Sequence, residues 1–192
     1  MIWAVILAAG GSRRMGTQKM LLPFGDGTIV ERVVRAALDA SLQGIVVVLG
    51  ADEARVREKL APYPVTFAVN ADWQRGMLSS VQTGFEALPE KATAVVVMLG
   101  DQPFIKAETV DELVAHHRET RKGIVLPVHG GRRGHPVLID KKYGAEIVAL
   151  GPEGTLREVV HAHAADVLEV EIDDPDILRD IDTPEDYGSG TV

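Results

Sequence analysis

The segment from Leu7 to Lys19 combines glycines with basic side chains directly after an apolar run. Glycines let backbone N–H groups approach an anion, and cationic side chains neutralise it, so this composition is typical of a phosphate-binding turn. Gly11 and Gly16 have the spacing of a P-loop, but Thr17 stands where that motif requires lysine, and G-x-G-x-x-G does not occur. The segment is therefore a different phosphate loop or merely a flexible turn, and its cations are Arg13, Arg14 and Lys19.

Carboxylates at two distant places in the chain are candidate metal ligands. Asp101 follows an apolar run, which predicts a carboxylate at the end of a buried strand. Mg²⁺ prefers a few carboxylates together with substrate phosphate oxygens. A second ligand could come from the C-terminal "DIDTPED", which contains Asp180, Asp182 and Asp186. Taken alone, this tail is better interpreted as a solvated acidic terminus in which Thr183-Pro184 begins a helix.

The histidines do not indicate zinc or hydrolase chemistry. Neither closely spaced pair shares a helical face, so we interpret these residues as solvent-exposed helix positions: His116 with His117, and His161 with His163. The motifs H-E-x-x-H and G-x-S-x-G are absent, and the chain contains no cysteine to act as a ligand or nucleophile.

Alternating strand and helix patterns would position these candidates. Apolar runs predict buried strands at residues 3–9, 45–49, 65–69 and 94–99. Apolar residues at three- and four-residue steps predict helices at 28–40, after Asp52 and at 78–88, the first opening with a capping box of Thr28 and Glu31. This alternation predicts an α/β sheet with helices on both faces. Ligands of such sheets lie beyond the carboxyl ends of the strands, where the glycine segment and Asp101 would meet.

The later third is less regular. The sequence "IVLPVHGGRRGHPVLI" predicts two strands around a glycine–arginine loop, followed by helices from Lys142 and from about Thr155 and a strand near 167–172. Within the loop, Gly134 opens space beside His135, and Pro136 favours an extended backbone there. A role in a site and a role as a hairpin-turn residue are equally compatible with His135.

Composition limits the classes of function. The 28 acidic and 20 basic residues give a formal charge of -8, which disfavours binding to nucleic acid or to an anionic membrane. The opening apolar run is too short for a membrane span or a signal peptide, so we expect a cytoplasmic protein. A length of 192 residues suits one domain, which we expect to occupy residues 1–192.

Five motifs, taken in order, resemble a known family. They are "LAAGGSRRMGTQK", "VNADWQRGMLSSVQTG", "LGDQP", "RRGHPVLI" and "DIDTPEDY". Together they are similar to the molybdenum cofactor cytidylyltransferases, among the nucleotidyltransferases that resemble the molybdopterin-guanine dinucleotide synthesis enzyme. The resemblance implies a Rossmann-like three-layer α/β/α sandwich with a mostly parallel sheet, of the nucleotide-diphospho-sugar transferase type.

The resemblance also implies roles for individual residues. It places the nucleotide against Leu7, Ala8, Ala9, Gly10, Gly11, Lys19, Asn70, Ser80 and Asp101, with Gly76, Met77 and Ser79 bordering the cleft. It assigns the catalytic positions to Arg13, Lys19 and Asp101, the first two as phosphate contacts. Mg²⁺ would be held by Asp101 and Asp182. The second substrate would lie near Arg133, Gly134, His135 and Pro136.

The implied activity is transfer of CMP from CTP to the phosphate of molybdopterin, with release of pyrophosphate. "LAAG" resembles the cytidylyl members, whereas guanylyl members typically have L-A-G-G, so CTP is favoured over GTP. A molybdoenzyme or its insertion chaperone is the expected protein partner. Three alternatives stay open: a guanylyl- or other nucleotidyltransferase with a different phosphorylated acceptor, a nicotinamide oxidoreductase, and a non-catalytic nucleotide-binding or cofactor-insertion protein.

Overall fold

The computed structural model describes residues 1–12 and 15–190. Its strands are β1 (Ile2–Ala8), β2 (Pro23–Phe24), β3 (Gly27–Thr28), β4 (Ile45–Leu49), β5 (Thr66–Val69), β6 (Ala94–Leu99), β7 (Ile124–His129), β8 (Arg132–Arg133), β9 (Val137–Asp140) and β10 (Val167–Glu171). Its α-helices are α1 (Ile29–Asp39), α2 (Glu53–Leu60), α3 (Met77–Glu86), α4 (Ala107–Thr120), α5 (Gly144–Ala149), α6 (Leu156–Ala162) and α7 (Pro184–Gly190). None of the helices in these ranges is long and apolar enough to cross a membrane.

The main sheet is mostly parallel. Its strand order is β10-β7-β9-β6-β1-β4-β5, with β8 attached to β7, while β2 and β3 form a separate hairpin. Every neighbouring pair along this order is parallel except those of β9, which runs antiparallel to both β6 and β7. The few residues between β7 and β9 are too short for the crossover that a parallel pair needs.

Helices cover both faces of the sheet because its central strands are apolar on both sides. In β1, the side chains of Ala4, Ile6 and Ala8 pack with α1, α2 and α4 on one face. Val5 and Leu7 pack with α3, α5 and α6 on the other face. This alternation follows from the two-residue period of a strand. The predicted three-layer α/β/α class is thereby confirmed.

Two helix starts differ from the sequence-based expectation. At α1, the Thr28 hydroxyl donates to the Glu31 carboxylate at 2.8 Å and caps no backbone N–H, so the predicted capping box is wrong. A complete capping box occurs instead at α6, between Thr155 and Glu158. The helix expected from Lys142 begins at Gly144, after a 3-10 turn.

The C-terminal segment folds back onto the sheet. Ile177 and Ile181 are buried, with relative exposures of 1% and 0%. The helix expected at Thr183-Pro184 is present as α7. Because buried isoleucines anchor the segment, its interpretation as a solvated terminus is wrong.

Candidate active site

A cavity of about 410 Å³ opens beyond the carboxyl ends of β1 and β6, beside the start of α3. In a parallel sheet this edge collects the loops that follow neighbouring strands, so side chains distant in sequence meet there. The lining residues are Leu7, Ala9, Gly10, Gly11, Ser12, Lys19, Met20, Trp73, Gln74, Gly76, Met77, Ser80, Leu99, Asp101 and Asp182.

Lys19 joins two carboxylates at one end of this cavity. Its Nζ lies 2.6 Å from Oδ2 of Asp101 and 2.6 Å from Oδ1 of Asp182. The Lys19 side chain is only 9% exposed, against 19% for Asp101 and 33% for Asp182. Water screens such charges less than charges on an open surface. The three side chains therefore form a partly buried ionic cluster. We call Asp101 and Asp182 the acid pair, and Lys19 is its lysine.

The charges of this cluster are unbalanced. Burial alone would lower the pKa of Lys19, but the charges and hydrogen bonds of Asp101 and Asp182 outweigh it and raise that pKa, so the ammonium is retained. Burial and the negative charges of Asp182 and Asp101 raise the pKa of the nearby Asp180. One ammonium faces two carboxylates, so the cluster keeps an excess of negative charge, and that excess adds to burial in raising the pKa of Asp180. The cluster can therefore attract a further cation.

Backbone contacts bring the C-terminal segment to Asp101. The N–H of Ile181 donates to the carbonyl oxygen of Asp101 at 3.0 Å, which fixes the next residue, Asp182, beside the sheet edge. The Asp186 carboxylate accepts from the N–H groups of Asp182 and Thr183 at 3.1 and 2.8 Å. Asp186 thus caps the turn before α7 and leaves the Asp182 carboxylate directed at Lys19.

The side chain of Gln18 links the two ends of the glycine segment through hydrogen bonds. Its amide nitrogen donates to the carbonyl oxygens of Gly10 and Ala51, both at 3.2 Å, and its Oε1 accepts from the Ser12 hydroxyl at 2.8 Å. The Ser12 oxygen in turn accepts from the N–H of Lys19 at 3.0 Å. This network positions Lys19 at the cavity, and neither Gln18 nor Ser12 was identified from the sequence.

Asn70 supports the cavity wall from behind. Its amide donates to the hydroxyls of Ser79 and Ser80 at 2.9 and 3.0 Å, and its oxygen accepts from the N–H of Asp72 at 2.9 Å. Asn70 is 4% exposed and is not among the lining residues, whereas Ser80 is. Asn70 therefore holds the Ser80 side chain at the cavity wall.

Comparison with known proteins connects this geometry to a family. The family model of the MobA-like NTP transferase domain matches residues 4–167. The chain belongs to the MobA-like NTP transferases. Molybdenum cofactor cytidylyltransferase of Escherichia coli K12 is 30% identical over 184 residues, which cover 95% of this MobA-like chain and 92% of that protein. The protein is therefore an enzyme of the nucleotidyltransferase class, as the sequence motifs indicated.

Other relatives widen the comparison. The solved structure of Rv0371c from Mycobacterium tuberculosis H37Rv has a TM-score of 0.88 and 28% identity, covering 99% of this MobA-like chain and 96% of that one. Rv0371c in complex with manganese gives a TM-score of 0.84 at 26% identity, covering 99% and 97%. Nicotine blue oxidoreductase of Paenarthrobacter nicotinovorans is 36% identical over 149 residues, 72% of this chain and 71% of that protein. One relative is thus named for nucleotidyl transfer and another for oxidoreduction.

The acid pair of this MobA-like chain fits a divalent cation. Its two inner oxygens are each 2.6 Å from the same ammonium nitrogen, so they are separated by at most twice that distance. The ammonium occupies a position that a metal cation could take, between carboxylates of the kind that Mg²⁺ prefers. In the described residues, no three histidine or carboxylate side chains converge as a metal-binding group. Phosphate oxygens and water would have to supply the remaining ligands.

The expected second-substrate segment lies beside the acid pair rather than in the cavity. The side chain of Arg133 pairs with Glu169 on β10, at 2.6 Å. Gly134 packs against the backbone of Ile177, so the space beside it is filled, contrary to the sequence-based expectation. His135 lies two residues before Val137, which pairs with Val97 near the end of β6, the strand that leads to Asp101. Burial lowers the pKa of His135, and the negative charge of Asp101 opposes that shift in part.

Of the four histidines interpreted as solvent-exposed helix positions, His161 is exposed, whereas His116, His117 and His163 are partly buried. His117 is not solvent-exposed: its side chain is 15% exposed, and its Nδ1 is buried without a partner among the described residues. Burial lowers the pKa of His117. The Nε2–H of His163, just beyond the end of α6, donates to the Glu146 carboxylate, 2.7 Å away.

Most of the expected nucleotide residues meet at the cavity, and some do not. Those that line it are Leu7, Ala9, Gly10, Gly11, Lys19, Ser80 and Asp101, together with the expected metal ligand Asp182. Ala8 faces the opposite layer and is fully buried. Arg13 and Arg14 lie outside the described residues. Sequence reasoning missed Trp73 and Gln74, although both stand inside a motif that it singled out.

Proposed function

We propose that this protein is a divalent-metal-dependent nucleotidyltransferase that transfers CMP from CTP to the terminal phosphate of molybdopterin and releases pyrophosphate. The observation that carries the proposal is the acid pair and its lysine. Asp101 and Asp182 come from distant parts of the chain, yet each lies 2.6 Å from Lys19 Nζ at the edge of a glycine-lined cavity. A partly buried site that brings two carboxylates to the edge of a glycine-lined cavity suits a metal–triphosphate complex.

The reaction needs positioning more than proton transfer. An anionic phosphate oxygen of the acceptor attacks the α-phosphorus, a new P–O bond forms, and the bond to pyrophosphate breaks. A Mg²⁺ ion, when bound, neutralises phosphate charge and fixes the geometry of the chain's triphosphate substrate. Asp101 and Asp182 would hold that ion, and Gly10 and Gly11 would let the triphosphate approach the backbone. Lys19, with Arg13, would stabilise charge on the departing pyrophosphate.

The functional unit that we propose is the entire span 1–192. The family match ends at residue 167, whereas Asp182 lies beyond it. The buried Ile181 and its hydrogen bond to Asp101 support counting the C-terminal segment as part of the same domain.

The choice of substrates rests on likeness. The E. coli relative is named a molybdenum cofactor cytidylyltransferase and covers nearly the whole chain, which supports CTP and a molybdopterin-type acceptor. The "LAAG" turn also supports CTP as the nucleotide substrate. A molybdoenzyme or its insertion chaperone would then receive the product.

The nicotine blue relative favours one competing function. A protein of that name suggests that a related scaffold serves oxidoreduction. Hydride transfer from a nicotinamide requires no paired carboxylates, however, and the present chain lacks the dinucleotide fingerprint. The acid pair therefore supports nucleotidyl transfer.

Pyrophosphate release is the decisive assay. The enzyme is incubated with molybdopterin and each NTP in turn, with Mg²⁺, with Mn²⁺ and with chelator. We expect release with CTP, less with GTP, and none with chelator. Oxidation of NADH or NADPH without pyrophosphate release from any NTP would reject the proposal in favour of the oxidoreductase. Equal or faster release of pyrophosphate with GTP would reject only the preference for CTP.

Amide variants test the acid pair. Asp101→Asn and Asp182→Asn preserve side-chain shape but remove the charge that attracts a metal, so each should reduce turnover by about 10²-fold or more. Excess Mg²⁺ should recover part of the activity. Asp39→Asn, at an exposed position of α1, is the matched control and should be neutral. Wild-type metal dependence in Asp182→Asn would remove the C-terminal segment from the site.

A further inference from the structure

Trp73 is the large aromatic side chain of the cavity, and the proposed chemistry does not use it. It follows β5 in a 3-10 turn, Trp73–Arg75, and lines the cavity together with Met77. Met77 is 58% exposed, although an unbranched apolar side chain gains nothing from water. An aromatic ring and an exposed thioether in the cavity lining suit a flat ligand group that can stack on them.

Glycines on two adjacent strand ends hold the indole in place. A methyl group on Gly11 would lie 2.9 Å from Cη2 and Cζ3 of Trp73, closer than carbon atoms approach one another. A methyl group on Gly50 would lie 2.7 Å from the Trp73 Cβ. The indole is therefore fixed at its base by the end of β4 and at its six-membered ring by the glycine segment. A ring fixed before binding loses little conformational entropy when a ligand stacks on it.

A third glycine presents Met77. Gly76 has φ of 105°, a backbone conformation that side-chain-bearing residues avoid, and it joins the Trp73 turn directly to α3. This tight junction places Met77 in the first turn of the helix, on the same cavity wall. Methionine sulfur and methyl groups make favourable contacts with aromatic edges.

The position of Trp73 along the sheet edge indicates which substrate group it would contact. Along the sheet edge, β9, β6, β1 and β4 are consecutive neighbours. His135 precedes β9, Asp101 follows β6, and Trp73 packs where β1 and β4 end. Trp73 and His135 thus flank the acid pair on opposite sides. If the acceptor enters by the His135 side, the Trp73 side is left for the base of the NTP.

We propose that Trp73, assisted by Met77, is the stacking platform for the nucleobase of the NTP substrate. This inference rests on the proposed function, which supplies the NTP. Stacking on an indole stabilises every base, so Trp73 contributes affinity while hydrogen bonds elsewhere distinguish cytosine from guanine.

Tryptophan fluorescence tests the proposal directly, because the chain has two tryptophans, Trp3 and Trp73. Trp3 lies at the opposite end of β1 and packs at Gly44, so Trp3→Phe leaves Trp73 as the reporter. CTP with Mg²⁺ should quench its emission, whereas inorganic triphosphate with Mg²⁺, which has no base, should not. Equal quenching by the two ligands, or calorimetric binding of CTP without quenching, would overturn the stacking role.

Two substitutions of Trp73 supply a second, independent measurement. Trp73→Leu fills space without an aromatic face and should weaken CTP binding about tenfold, whereas Trp73→Phe should remain within about threefold of wild type. The affinity for inorganic triphosphate should be unchanged in both, which also shows that the glycine segment is intact. An unchanged CTP affinity in Trp73→Leu with a raised KM for molybdopterin would overturn the assignment to the nucleobase. Failure of the wild type to bind any NTP would overturn the proposed function itself.

Discussion

Lys19→Met is the perturbation that best separates a metal site from an ordinary salt bridge. It removes the ammonium that contacts both carboxylates and retains a side chain of similar length. The two inner oxygens would then face each other without a cation between them, at a separation of at most twice 2.6 Å. At roughly 5 Å and an effective dielectric constant of about 20, two like charges repel by about 3 kcal/mol. Because Asp182 is partly exposed, water reduces this cost to about 2 kcal/mol.

The same repulsion predicts tighter metal binding. A divalent cation that enters the wild-type site must displace the Lys19 ammonium. In Lys19→Met there is no ammonium to displace, and the cation relieves the repulsion between Asp101 and Asp182. We therefore expect the free energy of unfolding without metal to fall by about 2 kcal/mol. Addition of Mg²⁺ should recover that loss, and nucleotide-free Mg²⁺ affinity should increase about tenfold or more. Turnover should nevertheless be lost, because the contact that we propose between Lys19 and the substrate phosphates is gone.

Urea unfolding with and without Mg²⁺, combined with calorimetric Mg²⁺ titration at pH 8, measures both quantities. At that pH the carboxylates cannot relieve repulsion by taking up protons. Lys91→Met, at an exposed lysine, is the control and should change neither quantity. An unchanged or weaker Mg²⁺ affinity in Lys19→Met would refute the idea that the ammonium occupies a metal position.

Two further predictions concern packing and acid stability. Gly11→Ala should force Trp73 or the glycine segment to move and weaken NTP binding about tenfold or more in calorimetry, whereas Gly151→Ala, where a methyl group meets open space, should not. Burial alone would raise the pKa of Asp166, but hydrogen bonds from Lys142 and Tyr143 lower it to about 2. A depressed carboxyl pKa contributes stability that is present above its unfolded value and disappears as pH falls toward about 2. Asp166→Asn should therefore cost about 1–2 kcal/mol at pH 7 and almost nothing at pH 2, by urea unfolding.

The sheet was predictable from sequence because buried parallel strands leave a strong local signal. The apolar runs at β1, β4 and β6 need no tertiary information, and the residues that follow each run mark the functional edge. Lys19 and Asp101 could therefore be placed at one rim before any coordinates. The antiparallel direction of β9 was harder to predict from the sequence, since strand direction follows from the length and path of a connection.

Contacts between distant segments explain what sequence reasoning missed. The position of Ile181 beside Asp101 depends on a backbone hydrogen bond and on burial of its side chain. An acidic sequence predicts neither of these contacts. The role of Trp73 is not visible in the sequence, because it depends on Gly11, which leaves room for the ring, and on Gly50, which leaves room for the Cβ. The Thr28 capping box failed for the same reason: Tyr63 and Lys59 also attract Glu31, which is held by side chains rather than by the backbone.

Charge balance explains how the metal site that we propose can be stable without a metal and still attract one. Two carboxylates brought together in a partly buried position would strain the fold, and the ammonium of Lys19 offsets most of that cost without a ligand. One positive charge does not neutralise two negative charges, however, and the excess adds to burial in raising the pKa of Asp180. A metal–triphosphate complex brings a cation for Asp101 and Asp182 and an anion for the released ammonium. The complex therefore satisfies all three side chains at once, whereas metal alone or triphosphate alone satisfies only part of the cluster.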